Sequence, residues 1–429
     1  MMNLLYANET AGRFPPSWYA ESARPAPDRA MLNGAVNADI CIIGAGFTGV
    51  SAALHLAERG YRVVVLEAHR VGWGASGRNG GQVGSGQRVD QPDLEKQVGR
   101  DDARLLWEVS QDAKQLVKDL VHRFDMDCAL KPGIIHANHR KRFDRDSEAY
   151  VDHMARHYDH DLTYLPPSAL RREVNSPRYS GGYLDLDAAH LHPLNYIRGL
   201  ARGAEFSGAQ IFEMSEATNV SGGVVATAKG QVKAREVVVA CNGYLGGLVE
   251  DVPRYVMPIN NFIVATEPLN ETQAKGILAH DYAVADSKFV VNYFRLSEDR
   301  RLLFGGRESY GYKFPHDIKG FVRKAMVDIF PQMTSVAITH GWGGTLAITM
   351  SRLPYLARQD GFWTAGGYSG HGVALATMAG RILADAIAGQ TEKFDVMARI
   401  PATRFPGGVA LRHPLLVAAM LWYGLRDRL

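Results

Sequence analysis

Apolar residues fall along this chain in two rhythms. Short runs with little polar alternation, Ile40–Ile43, Val63–Leu66, Val237–Ala240 and Phe362–Ala365, read as strands buried on both faces. Two longer stretches repeat with helical spacing. Val50, Ala53, Leu54 and Ala57 make one stripe, and Gly60 stands where a helix end favours a left-handed residue. Leu375, Ala379, Ile382, Leu383 and Ala386 make another within a helix predicted over 373–388, which Gly389 closes. Residues 210–220 and 223–228 read as a β-meander. Phe289–Phe294 and Arg301–Gly305 read as a hairpin around Ser297–Arg300.

The first strand, helix and second strand frame a turn of the form G-x-G-x-x-G: Gly44, Gly46 and Gly49, with Phe47 and Thr48 between the last two. Glu67, followed by Ala68, ends the second strand. Together these make a βαβ dinucleotide fingerprint and predict an α/β, Rossmann-type domain. The glycines let a pyrophosphate approach the backbone, and the helix N-terminus offers it free N–H groups. Glu67 can accept from both hydroxyls of an adenosine ribose. The stretch 72–86 then holds seven glycines in fifteen residues, a loop able to line a long ligand through backbone N–H groups, with Ser76, Arg78 and Asn79 as side-chain donors. A second strand–turn–helix follows at Gly366–Gly372, and Val237–Val239 leads through Ala240 into a turn at Gly243. One long ligand touching both glycine turns explains the pair. Two separate nucleotides are the alternative, but no second acid-after-strand supports it.

Composition narrows the picture. The chain has 429 residues, 46% hydrophobic and 22% charged, with 48 Lys+Arg against 45 Asp+Glu and a net charge of +3. That excludes a disordered chain and carries no nucleic-acid footprint. Three cysteines without CxxC spacing predict neither a disulfide scaffold nor a cysteine metal site. No secretory h-region stands near the start, and the apolar stretch Leu415–Tyr423 is too short to span a bilayer, so a cytoplasmic protein is expected. Packing of that stretch on its own domain is favoured over membrane contact. His153, His157 and His160 share a helix face, but the carboxylates among them make it an exposed polar face, and no metal is expected. His190 and His192 read as a loop before a helix at Pro193.

Several segments are narrower than the fingerprint: Ser17–Ala20, Gly77-Arg78-Asn79-Gly80-Gly81-Gln82, His190–Asn195, Gly366–Gly372 and Phe405-Pro406-Gly407-Gly408. With them the chain resembles the D-amino-acid-oxidase-like superfamily of FAD enzymes over nearly its whole length. Within it, the chain looks most like the branch acting on γ-glutamylated polyamines. The resemblance implies a Rossmann-type FAD-binding domain with a discontinuous antiparallel-sheet substrate domain. The FAD domain would take 35–88, 162–250 and 338–396, and the substrate domain 89–161 and 251–337. Residues 1–34 would form an extension and 397–429 a C-terminal segment. It implies that Ala75, Ser76, Gly80, Gly81 and Gln82 line the phosphates and ring, that Ala217 meets adenine, and that Gly367, Tyr368, Ser369, Gly370, His371, Gly372 and Val373 cover the pyrimidine end. Relatives that bind flavin covalently use a C-terminal cysteine or a loop histidine. No cysteine follows Cys241 and Arg78 takes the histidine's place, so non-covalent FAD is expected.

Flavin amine oxidation moves a hydride equivalent to N5 from the carbon beside nitrogen, and the cofactor carries the hard step. Relatives acting on amino acids hold the carboxylate with an arginine just after a Trp-x-Gly turn. Here that turn reads Trp342-Gly343-Gly344-Thr345-Leu346-Ala347, without one. Neither Thr nor Leu replaces a guanidinium fork. The expected substrate is therefore a γ-glutamylated polyamine oxidised at its primary amine, giving aldehyde, ammonia and H2O2, with O2 or another electron acceptor. Arg307 or Arg295 would meet the remote carboxylate, His371 would face the ring or amine, and Tyr293 and Trp342 would wall the amine pocket. The rivals are a D-amino-acid or N-methyl-amino-acid dehydrogenase passing electrons to a quinone, and a flavin-binding protein with little turnover.

Overall fold

The computed structural model describes residues 3–359 and 361–408, with Pro414 and Val417 beyond them. Its centre is a six-stranded sheet in the order Tyr355–Gln359, Phe362–Gly366, Glu236–Val239, Ile40–Ile43, Val63–Leu66, Gln210–Phe212. All neighbours are parallel except the first pair. Every residue of Ile40–Ile43 and Val63–Leu66 is buried, as unbroken apolar runs require.

The helices Phe47–Ala57 and Gly372–Ile387 pack on this sheet and on each other. Their contact is close because Gly380 lies on it: a Cβ there would fall 2.4 Å from the Thr48 carbonyl. Phe47–Ala57 is buried throughout its length. Each such Leu or Val contributes about 1.5–3 kcal/mol relative to exposure.

A larger, mostly antiparallel sheet lies alongside, in the order Ile338–Ile348, Met257–Thr266, Leu302–Ser309, Tyr293–Leu296, Ala283–Asp286, Lys131–Ala137, Gly182–His190, Gln82–Val83. Thr163–Leu165 pairs with Gly182–His190 as the sheet's ninth strand, and four of the nine, Gln82–Val83, Thr163–Leu165, Gly182–His190 and Ile338–Ile348, come from spans that the sequence expectation gave to the cofactor domain. A third sheet of four short strands joins Gly34–Asn37 to Asn219–Ser221, Val224–Ala226 and Gly230–Lys233.

Two local expectations change. Gln210–Phe212 leaves the meander and pairs in parallel with Val64–Leu66 at the edge of the central sheet. The hairpin arm begins at Tyr293 rather than Phe289. Asp286 accepts from the backbone N–H of Lys288 (3.2 Å) and Asn292 (2.9 Å), which holds 287–292 as a capped loop. The apolar stretch Leu415–Tyr423 lies, apart from Val417, outside the described residues. Among the described residues no helix is long and apolar enough to cross a membrane.

Candidate active site

The carboxyl ends of the parallel strands open into one cavity of about 630 Å³. Strand order arranges its wall: Glu67, then Gly44, then Ala240, then the turn after Gly366. This is where open α/β sheets bind ligands. Most residues expected from the sequence line it: Gly44, Gly46, Phe47, Thr48, Glu67, Ala68, Ala75, Ser76, Arg78, Asn79, Gly80, Gln82, Ala217, Ala240, Tyr368, Ser369, Gly370, His371, Gly372 and Val373.

Four expected glycines do not. Gly49, Gly81, Gly243 and Gly367 sit behind the wall, where a Cβ would fall 1.9 Å from Gly44 O, 2.0 Å from Leu191 O, 2.9 Å from Leu346 O and 2.6 Å from Thr349 Cγ2. Their role is close packing that shapes the turns.

At one end of the wall, Glu67 accepts from the N–H of Ala45 (2.8 Å) and of His69 (2.9 Å). Burial nevertheless pushes its acid up to about 7. The segment 3–13 folds over this end. Asn3 and Leu5 line the cavity, and Tyr6 Oη donates to Glu216 at 2.6 Å. His69 stacks on Trp73 and bonds Leu5 O and Gly12 N–H. Burial lowers its pKa to about 4, so it stays neutral at pH 7.

The glycine-rich loop holds itself in shape. Asn79 donates to the carbonyls of Ala75 and Ser76 and accepts from Gly81 N–H. Ser76 Oγ accepts from Phe47 N–H, tying the loop to the helix N-terminus. Arg78, 3% exposed, donates to Trp73 O, Gly343 O and Glu9, and lies over the Trp73 ring at 4.4 Å. Its remaining guanidinium nitrogen is shielded from solvent without a partner. An orphaned buried donor in a cavity wall is unusual, and it suits an acceptor-rich ligand.

Beyond the second turn the cavity widens into a chamber. His371 packs against Gly84, and its solvent-shielded Nε2 has no partner. Burial first, then the nearby Arg88 charge, lowers its pKa to about 4. Tyr293 Oη donates to Asn261 Oδ1 at 2.6 Å.

Three expected substrate residues are occupied elsewhere. Trp342 is buried behind the wall, stacked edge-on with Tyr19, and its indole N–H donates to Arg78 O at 3.0 Å. Arg307 turns away, its guanidinium over Phe321 and its backbone at φ 64°. Arg295 is consumed by the carbonyls of Gly80 and Leu191. The charged chamber residues are instead Arg88, Asp286, Glu308 and Arg352, with His136 beside them. Sequence reasoning missed these. Arg88 was within reach, as the first charge after the glycine-rich loop.

The tempting histidines have structural partners. His153 bonds Glu95 and His190 bonds Asp281 O. His160 lies edge-on to Trp107, and His192 caps the helix Pro193–Phe206.

This fold and this wall define a class, the flavin oxidoreductases built on a dinucleotide-binding sheet. Residues 39–386 match the FAD dependent oxidoreductase family, DAO, and the chain belongs to it. The superfamily resemblance seen in the sequence is thereby borne out, and a flavin is the family's cofactor. The chain is 39% identical to the gamma-glutamylputrescine oxidoreductase of Escherichia coli (strain K12), over 96% of this chain and 98% of that protein. A probable oxidoreductase of Haemophilus influenzae is 35% identical over 100% of both chains. Among solved structures, glycine oxidase from Geobacillus kaustophilus aligns with a TM-score of 0.72 at 21% identity, covering 87% of this chain and 100% of that one. That likeness is one of fold. The protein is an FAD-dependent oxidoreductase.

Proposed function

We propose that the protein oxidises the primary amine of a γ-glutamylated polyamine. The overall reaction is R–CH2–NH2 + O2 + H2O → R–CHO + NH3 + H2O2. The observation that carries this is the strand Ile338–Ile348. Gly344, Leu346 and Ala347 of that strand line the cavity, so no guanidinium stands there to clamp an α-carboxylate beside the reacting carbon. The 39% identity to a gamma-glutamylputrescine oxidoreductase supports the same substrate class.

Gly44, Gly46 and the N-terminus of Phe47–Ala57 would hold the pyrophosphate of FAD, and Glu67 its adenosine ribose. Arg78 and the Tyr368–Val373 turn would face the ring. Bound there, FAD supplies the two-electron acceptor for the C–H bond beside nitrogen. Attachment is non-covalent in this reading. Cys241 lines the cavity, but burial pushes its thiol up to about 12, so it stays protonated and poorly nucleophilic. The chain's own groups prepare the amine. His371 is neutral at pH 7 and does not repel an approaching cation, and its free Nε2 can accept an N–H. The Tyr293 ring and its bond to Asn261 fix one wall. Gly80 permits this, since a Cβ there would fall 2.7 Å from the ring.

The rival, an amino-acid dehydrogenase passing electrons to a quinone, would need a clamp from another segment, which Arg88 or Arg352 in the cavity could supply. The visible spectrum under nitrogen separates the two. Bleaching by γ-glutamylputrescine, and not by D-alanine or sarcosine, is the expected result. Readmitted air should then restore the bands with peroxide. Bleaching by amino acids alone overturns the proposal.

A further inference from the structure

Arg88 differs from the other chamber cations. It is half-buried in the loop between Gln82–Val83 and Gln91–Val98, and it lines the cavity. Among the described residues it makes no hydrogen bond or ion pair. Its guanidinium donors are therefore left to take an anion from the cavity. Glu308 lines the same chamber from the strand Leu302–Ser309 and accepts from Tyr310 Oη at 3.4 Å. Burial raises the Glu308 acid, while the charges of Arg352 and Arg88 oppose the rise. Arg88 and Glu308 therefore sense each other's charge without closing into an ion pair. A gap between opposite charges suits a ligand end that carries both signs.

We propose that Arg88 and Glu308 form a zwitterion clamp, in which Arg88 takes the α-carboxylate and Glu308 the α-ammonium of a γ-glutamyl head. This rests on the functional reading above and sharpens it. The clamp explains how the enzyme would distinguish a γ-glutamylated amine from the free diamine. A diamine presents only a second ammonium, which Glu308 attracts and Arg88 repels. A glutaryl amide keeps the carboxylate but lacks the ammonium, and a 4-aminobutyryl amide keeps the ammonium but lacks the carboxylate. A guanidinium fork fits a carboxylate in two parallel bonds, whereas a lysine in its place offers a single point charge.

The test uses FAD-loaded enzyme and three 4-aminobutyl amides: γ-glutamyl, glutaryl and 4-aminobutyryl. Arg88→Met should lower the kcat/KM ratio of γ-glutamyl over 4-aminobutyryl amide by roughly ten- to hundredfold, one charge-assisted contact. Glu308→Gln should lower the ratio of γ-glutamyl over glutaryl amide instead. Arg88→Lys should recover part of the first ratio. FAD affinity, measured by flavin fluorescence, reports whether each variant is folded. If Arg88→Met weakens all three amides equally while the wild type still prefers the γ-glutamyl amide, the clamp is overturned and the functional reading stands. A wild type that oxidises no γ-glutamyl amide overturns the functional reading itself.

Discussion

Glu67 gives the sharpest test of how the cofactor is held. Its carboxyl is pushed up to about 7 by burial, against a usual 4.5, although two backbone N–H groups donate to it. In flavin-free protein the folded state therefore holds this proton more tightly than the unfolded chain does. Glu67's contribution to stability is fully present below pH ~4.5 and is lost as pH rises to ~7, about 3 kcal/mol in all. Ribose hydroxyls donate more strongly to the ionised carboxylate, both of whose oxygens accept, and would draw its acid back down. Cofactor binding then releases a proton whenever the pH lies below ~7. FAD affinity should rise about tenfold per pH unit up to pH ~7 and flatten above it.

Glu67→Gln removes the titration and replaces one acceptor with an NH2 that faces a backbone donor. Its FAD affinity should fall roughly ten- to hundredfold at pH 8 and lose the slope. Fluorescence titration of flavin-free protein from pH 5.5 to 8.5 measures both effects. Riboflavin is the internal control, because it has neither adenosine ribose nor a phosphate that titrates in this range and should bind with the same pH profile in both proteins. A flat FAD profile in the wild type, or a slope shared by riboflavin, would refute the assignment.

Two further substitutions test the placements of Tyr293 and Trp342. Gly305→Ala puts a Cβ 2.1 Å from the Tyr293 ring, on the side away from the cavity. It should cost about 1–3 kcal/mol by overpacking and raise the amine KM severalfold, with FAD affinity held. An unchanged KM would show that Tyr293 does not shape the amine site. Trp342→Phe deletes the indole bond to Arg78 O and should lower stability by about 1–2 kcal/mol in thermal unfolding, because the carbonyl is left buried. Its amine preference should stay that of the wild type, and a changed preference would return Trp342 to the substrate site.

The cofactor half of the site was legible in the sequence because its chemistry is local. A G-x-G-x-x-G turn, the acid after the next strand and a glycine-rich loop each carry their meaning within a few residues. What stayed hidden there was which glycines face the cavity. Gly46 and Gly49 look alike in the motif, yet Gly46 lines the wall while Gly49 lets the helix sit against Gly44 O. In the substrate half Tyr293 and His371 were legible, but its charged groups were not, because they come from distant segments. Arg88 follows one strand of the antiparallel sheet and Glu308 lies on another, and only the sheet's pairing brings them to one chamber.

The misplaced residues follow a rule about partners. Arg295, Arg307 and Trp342 looked functional because arginine and tryptophan are strong recognition groups. Arg295 and Trp342 have their polar hydrogens taken by main-chain carbonyls: Gly80 and Leu191 for one, Arg78 for the other. Arg307 spends its charge over the Phe321 ring. The two groups the structure singles out are defined the opposite way. Arg78 has an outer nitrogen shielded from solvent without an internal partner, and Arg88 lines the cavity with no hydrogen bond or ion pair among the described residues, so each leaves donors for a ligand. For Arg78 the proposed ligand is the flavin its family carries. For Arg88 it is the anion at the far end of the substrate.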